Sequence, residues 1–480
     1  MTSCTYRELA DRVSACAVQL AASGVRRGDR VGLLLPRGAA AATALFGTVV
    51  LGAVAVPIAE SLKRPQIEHI IADSGARLVV VDARSAGQVP QGIPLLHIDN
   101  VTTGASGAAI PSPTQVIGGD LAMLLYTSGS TGAPKGVMVS HANLLAGAGI
   151  VAEYLGLRPS DRLLSVLPWN FDYGLNQLLS ACRVGATVVV GQPALIPQLC
   201  QVLRDRRCTV LAGVPPLWAM LTADRSPFLD LSLPDLRLVT NTGGSLPPVQ
   251  VGMIRRAHPH VSVVLMYGLT EAFRSTYLPP DLVDTYPDSI GRAIPGSECL
   301  VLREDGTECD VDEIGQLVHR GPTVALGYWN RPAATAAVFR RHPRPVPGAV
   351  PEVVVYSGDW VRRDRHGLLY YVGRRDEQFK SRGVRVNPGQ IENALLQTGF
   401  VREAVVFGLD TGDETDIVAV VVARDRDVDE PLLSSVFRRE LPAHWQPATV
   451  LIRPELPRTA SGKIDRTSVR AAVHQQWTTR

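Results

Sequence analysis

The residues best able to do chemistry stand in one run, Tyr126-Thr-Ser-Gly-Ser-Thr-Gly-Ala-Pro-Lys-Gly-Val137. An apolar strand ends at Tyr126, and six of the next seven residues are Ser, Thr or Gly. Gly129 and Gly132 admit backbone angles that other residues resist. Successive amides can then turn inward around an anion. The hydroxyls of Thr127, Ser128, Ser130 and Thr131 add donors, and Lys135 adds a mobile positive charge. That combination suits a polyphosphate. It is not a Walker loop, which needs Ser or Thr directly after the Lys, where this chain has Gly136. Nor does a flexible Ser/Gly linker belong between an apolar strand and a Pro-Lys-Gly-Val strand restart.

Other runs gain meaning only in company. Tyr267-Gly-Leu-Thr-Glu271 follows a second apolar strand, and a Glu there can hold Mg2+ against phosphate oxygens. A single Glu at a strand end is ordinarily a solvated turn residue. Gly358-Asp359, within Tyr356-Ser-Gly-Asp-Trp360, is by itself a turn. Lys463, within Pro457-Arg-Thr-Ala-Ser-Gly-Lys-Ile-Asp465, is by itself a solvated side chain.

The elements that must position these runs alternate. Helical period over Tyr6–Ser23, Ala39–Leu51 and Ile67–Asp73 is interleaved with strand-like Arg30–Leu35, Ala53–Pro57 and Arg77–Asp82. After residue 120 come strands Leu121–Tyr126, Arg162–Leu167, Ala186–Val190, Val210–Gly213, Leu236–Asn241 and Ser262–Tyr267. Helices are expected from Ala142 and over Gly174–Ala181. Such alternation predicts an α/β fold on mainly parallel sheets. Residues 88–119 read as an irregular connection, and the Pro-rich 340–352 as a surface loop. Residues 290–375, with short runs at Glu298–Leu302, Gly315–His319 and Leu368–Val372, read as a β-rich subdomain. Beyond Arg374 a small α+β domain is expected, with strands Val401–Phe407 and Asp416–Val422 and helices Pro388–Leu396 and Glu430–Glu440. The expected division is a large domain over 1–375, made of two βα-type subdomains plus the β-rich one, and a small C-terminal domain over 376–480.

The bulk numbers agree with a multidomain globular enzyme. The chain has 480 residues, 46% hydrophobic and 19% charged, enough for two to four folding units. A net charge of +3, from 48 basic and 45 acidic residues, supplies no field for a nucleic acid. Seven cysteines without CxxC spacing exclude a disulfide framework and a zinc site, and point to reduced thiols in the cytoplasm. The N-terminus lacks a signal pattern. The apolar stretch 39–58 is interrupted by Gly47, Gly52 and Pro57, so it reads as a helix and a strand, with no membrane span.

Taken together, TSGSTGAPKGV and the runs that follow it in order resemble the adenylate-forming superfamily: acyl-CoA synthetases, amino-acid adenylation domains and luciferase-type enzymes. The resemblance covers about residues 6 to 466. It implies ATP and Mg2+ as cofactors. It also implies an acyl-adenylate made with loss of pyrophosphate, and acyl transfer to a thiol. Tyr267 would stack on adenine, with Gly268 and, from Asn241-Thr-Gly-Gly-Ser-Leu-Pro247, Gly243, Gly244 and Ser245 beside it. Thr270 would donate to a phosphate and Glu271 would hold Mg2+. Asp359 would take the ribose hydroxyls, and Arg374 the ribose and phosphate. Asp376 matches a hinge about which the small domain swings, and Gly383 the path of the pantetheine. Lys463, carried on the Ser461-Gly462 turn, would neutralise charge between carboxylate and α-phosphate. Where relatives often have an acidic residue this chain has Asn387, while Glu392 matches. His141 is read as structural.

The acid is addressed by Leu167-Pro-Trp-Asn-Phe-Asp-Tyr-Gly-Leu-Asn176. In amino-acid adenylation domains an Asp after Phe binds the α-amino group, so Asp172 implies an amino acid, small or cyclic. The alternative for Asp172 is a cap on the helix that follows. Tyr173, Asn176, Gly213, Thr240, Thr242, Met266, Arg274 and Ser275 would line the pocket. Arg274 departs from the family pattern: it would bind a second polar group, or pair with Asp172 and abolish the amino site. The closest likeness is to stand-alone ligases that load amino acids, including proline, onto carrier proteins. Only 17 residues follow Lys463, so a carrier is expected in trans. The competing readings are an acyl-CoA synthetase for a fatty or aryl acid, and an inactive nucleotide-binding homologue. Lys135, Glu271, Asp359 and Lys463 are all present, which argues against the last.

Overall fold

The computed structural model describes residues 3–101, 116–127, 134–191, 195–344, 348, 351–375, 377, 379–381, 384–410, 415–425, 427–459 and 464–478. Two seven-stranded sheets dominate it. The first runs, in spatial order, through Gly327–Tyr328, Lys135–Ser140, Leu121–Thr127, Val54–Pro57, Arg30–Leu34, Leu78–Val81 and Leu95–His97. Its centre is parallel, and Lys135–Ser140 returns antiparallel along Leu121–Thr127. The second runs through Arg292–Ala293, Thr276–Leu278, Ser262–Tyr267, Leu238–Asn241, Val210–Gly213, Arg162–Ser165 and Thr187–Val190. It is parallel except for its two first-named strands. Continuous apolar runs such as Leu78–Val81 are buried at every position, as a parallel strand covered on both faces requires.

Two helices lie between the sheets. Leu144 of His141–Tyr154 and Leu175 and Leu178 of Asp172–Val184 join the core of the first sheet. Ala152, Tyr173 and Ala181 of the same helices join the core of the second. Both helices are thereby fixed from two sides, so side chains on their first turns have little freedom.

The expected strands are found with ends shifted by up to three residues, as where Val401–Phe407 runs on to Asp410. The expected helix 67–73 begins earlier, at Arg64, because Pro65 is pre-set for a first turn. Four helices unforeseen in the sequence, Ile196–Asp205, Pro215–Leu221, Pro248–Ala257 and Pro332–Val338, also carry Pro in the first turn. The connection 88–119 is not wholly irregular: Leu95–His97 extends the edge of the first sheet, and 102–115 lie outside the described residues.

The β-rich part is an antiparallel sheet of Glu298–Leu302, Ile314–Arg320, Val353–Arg363 and Phe339–Arg341, with Leu369–Arg374 on the third strand. The strand Phe339–Arg341 occupies the start of the expected surface loop. The C-terminal part has its own three-stranded sheet, Val401–Asp410, Thr415–Ala423 and Thr449–Ile452. Helices Pro388–Gln397, Glu430–Glu440 and Arg466–Thr478 accompany it, and its apolar clusters are separate from those of the large sheets. The seven cysteines are unbridged. Among the described residues no helix is long and apolar enough to cross a membrane.

Candidate active site

Tyr267 ends the strand Ser262–Tyr267, and its phenol donates to Asp359 Oδ2. Asp359 lies opposite Arg374 in the β-rich sheet, and Arg374 Nη1 donates to Asp359 Oδ1 at 3.2 Å and to the Ser357 carbonyl at 3.3 Å. Three residues from separate sequence runs are therefore in contact, across two different sheets. Beside them Gly243 takes φ +82 after the strand Leu238–Asn241, and Asn241 Nδ2 holds the Gly244 carbonyl at 2.9 Å. Burial and the Asp359 charge push the Tyr267 phenol well up, so it stays protonated and a donor.

Four residues on stands Glu271. Its backbone carbonyl accepts from Ala325 N at 2.9 Å, and its carboxylate accepts from Tyr328 Oη at 2.6 Å. The Tyr328 ring also lies 5.6 Å below Lys135 Nζ, within cation–π range. Tyr328 thus joins the carboxylate of one run to the cation of another. Its own position is set by pairing with Val137 in the first sheet. Next to it, Trp329 N donates to the Gly136 carbonyl and Trp329 Nε1 to the Asp73 carbonyl. Asp73 accepts from Tyr126 Oη at 2.8 Å and Arg331 Nη2 at 2.5 Å. Segment 325–331 therefore pins both flanks of the Ser/Thr/Gly run as well as Glu271. Sequence reasoning missed Tyr328, Arg331 and Asp73. A lone Gly-Tyr-Trp-Asn gives no local sign of these partners.

A single carboxylate fits magnesium, which retains waters and takes phosphate oxygens to complete its shell. Among the described residues no cluster of three or more His, Cys, Asp or Glu could hold a metal by itself. Glu271 is a carboxylate that could hold such an ion. Thr270 beside it is buried, and Thr127 faces Lys135 across the hairpin. Ser128, Gly129, Ser130, Thr131 and Gly132 lie outside the described residues, as do Asp376, Gly383, Ser461, Gly462 and Lys463.

The expected acid pocket is a cavity between helix Asp172–Val184 and the second sheet. Tyr173, Asn176, Thr240, Met266 and Arg274 line it, with apolar Leu163 and Ala212 among the rest. Tyr173 Oη and Thr240 Oγ1 share a hydrogen bond of 2.5 Å. Asp172, Gly213, Thr242 and Ser275 stand outside this lining. A Cβ on Gly213 would fall 2.6 Å from the Trp218 ring, which accounts for that glycine by packing. Asp172 is not a helix cap: the helix starts at Asp172 itself, with Phe171 at the cap position. Instead Arg274 Nη1 donates to Asp172 Oδ2 at 2.9 Å, with both side chains 2–3% exposed. The guanidinium also lies 4.8 Å from the Tyr173 ring centre.

In the C-terminal part, Glu392 accepts both ends of Arg466 (2.9 and 2.7 Å) and the Val406 amide. Arg466 further meets Glu377 at 3.2 Å. Asn387 caps the helix Pro388–Gln397 by accepting from Gly389 N. A Cβ on Gly373, at φ +155, would fall 2.0 Å from Asn387 Oδ1, so the turn out of the β-rich sheet needs glycine there.

His319 stacks 6.0 Å from Tyr267, and burial lowers its imidazole from 6.5 to about 3. Between these values the unfolded chain binds a proton there that the native chain does not. Stability must then fall as pH drops below about 6.5, by at most ~1.4 kcal/mol per unit from this group. His319→Gln is expected to flatten urea-unfolding free energy against pH in that window. An unchanged slope would show that His319 is not neutral in the fold.

Comparison with known proteins bears on this geometry. The family model for AMP-binding enzymes matches residues 1–329, and that for the AMP-binding enzyme C-terminal domain matches 390–463. An L-proline–[L-prolyl-carrier protein] ligase of Pseudomonas fluorescens is 31% identical over 96% of this chain and 93% of its own length. Surfactin synthase subunit 2 of Bacillus subtilis is 30% identical over 97% of this chain, which spans 13% of that much longer protein. Among solved structures, o-succinylbenzoate CoA synthetase from Bacillus subtilis, with its acyl-adenylate intermediate, superposes with TM-score 0.85 at 26% identity. That match covers 98% of this chain and 93% of the other. The anthranilate CoA ligase AuaEII, with anthranoyl-AMP, gives TM-score 0.83 at 27% identity, over 97% and 91%. Both the amino-acid and the CoA branches are thus represented at similar distance, and the chain belongs to the AMP-binding family of adenylate-forming enzymes.

Proposed function

We propose that the chain uses ATP to adenylate an amino acid, releases pyrophosphate, and passes the acyl group to the phosphopantetheine thiol of a separate carrier protein. The observation that carries the adenylation part is the convergence at the end of one strand. Tyr267 meets Asp359 and Arg374, and Glu271, four residues on, meets Tyr328 under Lys135. The first group offers a ring face, a carboxylate for hydroxyls and a guanidinium for phosphate. The second offers a carboxylate for a cation and an ammonium for phosphate. That is the pattern of charges an MgATP molecule needs.

In this reading a carboxylate attacks the α-phosphate in line. Both reactants are anionic, so catalysis is positioning and charge neutralisation, with no nucleophilic side chain. Magnesium, when bound, would withdraw charge from the phosphate oxygens. Lys135 and the run 127–132 hold the outer phosphates, Thr270 donates to one of them, and Gly243, Gly244 and Ser245 border the base. Lys463 neutralises charge at the reacting carboxylate. The small domain over 376–480 then swings about Asp376, which removes Lys463 and brings Gly383 to the pantetheine path. The prolyl-carrier-protein ligase among the relatives supports the carrier as acceptor.

The pair Asp172–Arg274 favours a second reading: a plain acid passed to coenzyme A, because the carboxylate that would greet an ammonium already has a cation. ATP–pyrophosphate exchange with a panel of amino acids and of fatty and aryl acids separates the two. Exchange with an amino acid is expected. Exchange with plain acids alone would replace the first reading by the second. Exchange with none, together with no binding of ATP, would overturn adenylation itself.

A further inference from the structure

The buried pair leaves work undone. Among the described residues Arg274 Nε and Nη2 are buried without a hydrogen-bond partner, and so is Asn176 Nδ2 on the same cavity wall. A buried donor without an acceptor is costly, most of all a charged one, and native proteins seldom leave several together unless water, an ion or a ligand completes them. Arg274 is also held rigidly. Its backbone carbonyl accepts from Thr323 Oγ1 at 3.2 Å, Tyr173 lies against its face, and Asp172 holds one nitrogen. What remains is a fixed edge of donors in an otherwise largely apolar pocket.

We propose that Arg274 reads a second hydrogen-bond acceptor on the acid, beyond the carboxyl that reacts, with Asp172 as its counter-ion. The inference rests on the adenylation reading and is independent of whether the acid has an α-amino group. Charge balance defines the class in each case. Asp172 and Arg274 together are neutral, the reacting carboxylate is balanced by Lys463 in the proposed function, and a net charge left in such a pocket is disfavoured. An α-amino acid that adds an ammonium must then bring an anionic side chain, as an acidic amino acid does. An acid without the amino group must bring an uncharged acceptor such as a ketone or amide carbonyl. An acid with a purely hydrocarbon side chain satisfies neither and leaves the donors empty.

The test is ATP–pyrophosphate exchange with matched pairs, each acceptor-bearing acid beside its hydrocarbon counterpart. Examples are glutamate with norvaline and 4-oxopentanoate with pentanoate, extended over chains of different length. A site built on donors rejects the partner lacking the acceptor strongly, so kcat/KM should favour the acceptor-bearing member of at least one pair by ~100-fold or more. Arg274→Met should collapse that ratio by lowering the favoured member. Because this variant strands Asp172, the double variant Asp172→Asn/Arg274→Met, which removes both charges, is assayed with it, and calorimetric ATP binding reports that the nucleotide site is intact. A ratio near one in every pair, a ratio that survives in the double variant, or no exchange with any acceptor-bearing acid while ATP still binds would each overturn the proposal and leave adenylation standing. Loss of ATP binding by the wild type would instead remove the adenylation reading.

Discussion

Glu271→Gln is expected to lower the rate of adenylate formation by ~100-fold or more, in line with losing a charged group aimed at transition-state charge. The substitution keeps the shape and an acceptor for Tyr328, so the fold should be retained. What it removes is the negative charge that would hold a hard cation against phosphate oxygens. The structure supplies an internal comparison. Tyr328 donates to the Glu271 carboxylate and lies under Lys135, yet it would touch neither the metal ion nor the substrate acid. Tyr328→Phe keeps the ring and loses one hydrogen bond, so roughly a tenfold or smaller loss is expected, consistent with ~1 kcal/mol for such a bond. MgATP affinity by calorimetry and exchange rate should fall together in both variants, more in Glu271→Gln. Adenylation by Glu271→Gln within a few-fold of wild type would remove the metal-holding role.

Lys463→Ala is expected to cut adenylate formation by more than ~100-fold, and to do so selectively. The two half-reactions give the discrimination. If the ammonium acts at the reacting carboxylate, the variant should bind ATP normally and fail in pyrophosphate exchange. It should still transfer the acyl group when supplied with a preformed adenylate and a thiol. A merely structural lysine would damage both steps alike. Near-normal exchange would exclude the role altogether. Arg466, three residues on, should not be used as a control, since its pairs with Glu392 and Glu377 tie the last helix to the rest of the C-terminal part.

The regular elements were largely readable in the sequence because their signals are local. Buried parallel strands read as unbroken Val/Leu/Ile runs, and the helix Tyr6–Ala22 announces itself through Thr5 and Glu8, which form its capping box. Of the helices not expected from the sequence, Ile196–Asp205, Pro215–Leu221, Pro248–Ala257 and Pro332–Val338 are short and carry Pro in the first turn, an available start signal, whereas Arg466–Thr478 has no such signal. The site divides in the same way. Tyr267, Asp359 and Arg374 could be grouped because each sits in a recognisable run. Tyr328 could not, because what gives it meaning is a partner 57 residues away, and Arg331 meets Asp73 from 258 residues away. Arg274 was visible as a misfit in its motif, but two outcomes fitted it equally: pairing with Asp172, or binding a further polar group. The geometry shows the pairing, and the orphaned nitrogens keep the second outcome alive beside it.

The contact between Tyr267 and Asp359 has a consequence for what can enter. Tyr267 and Arg374 occupy one oxygen each of the Asp359 carboxylate. Each carboxylate oxygen keeps a further lone pair, so a ligand's hydroxyl can join this acid beside the phenol or trade places with it. A sugar carrying vicinal hydroxyls can make that trade at nearly constant hydrogen-bond count, and it frees the tyrosine ring to lie against a base. Inorganic pyrophosphate or triphosphate has no hydroxyl to offer in return and leaves the latch shut. The contact would thus favour a ligand that carries hydroxyls over its detached phosphate tail, because only the former can engage Asp359.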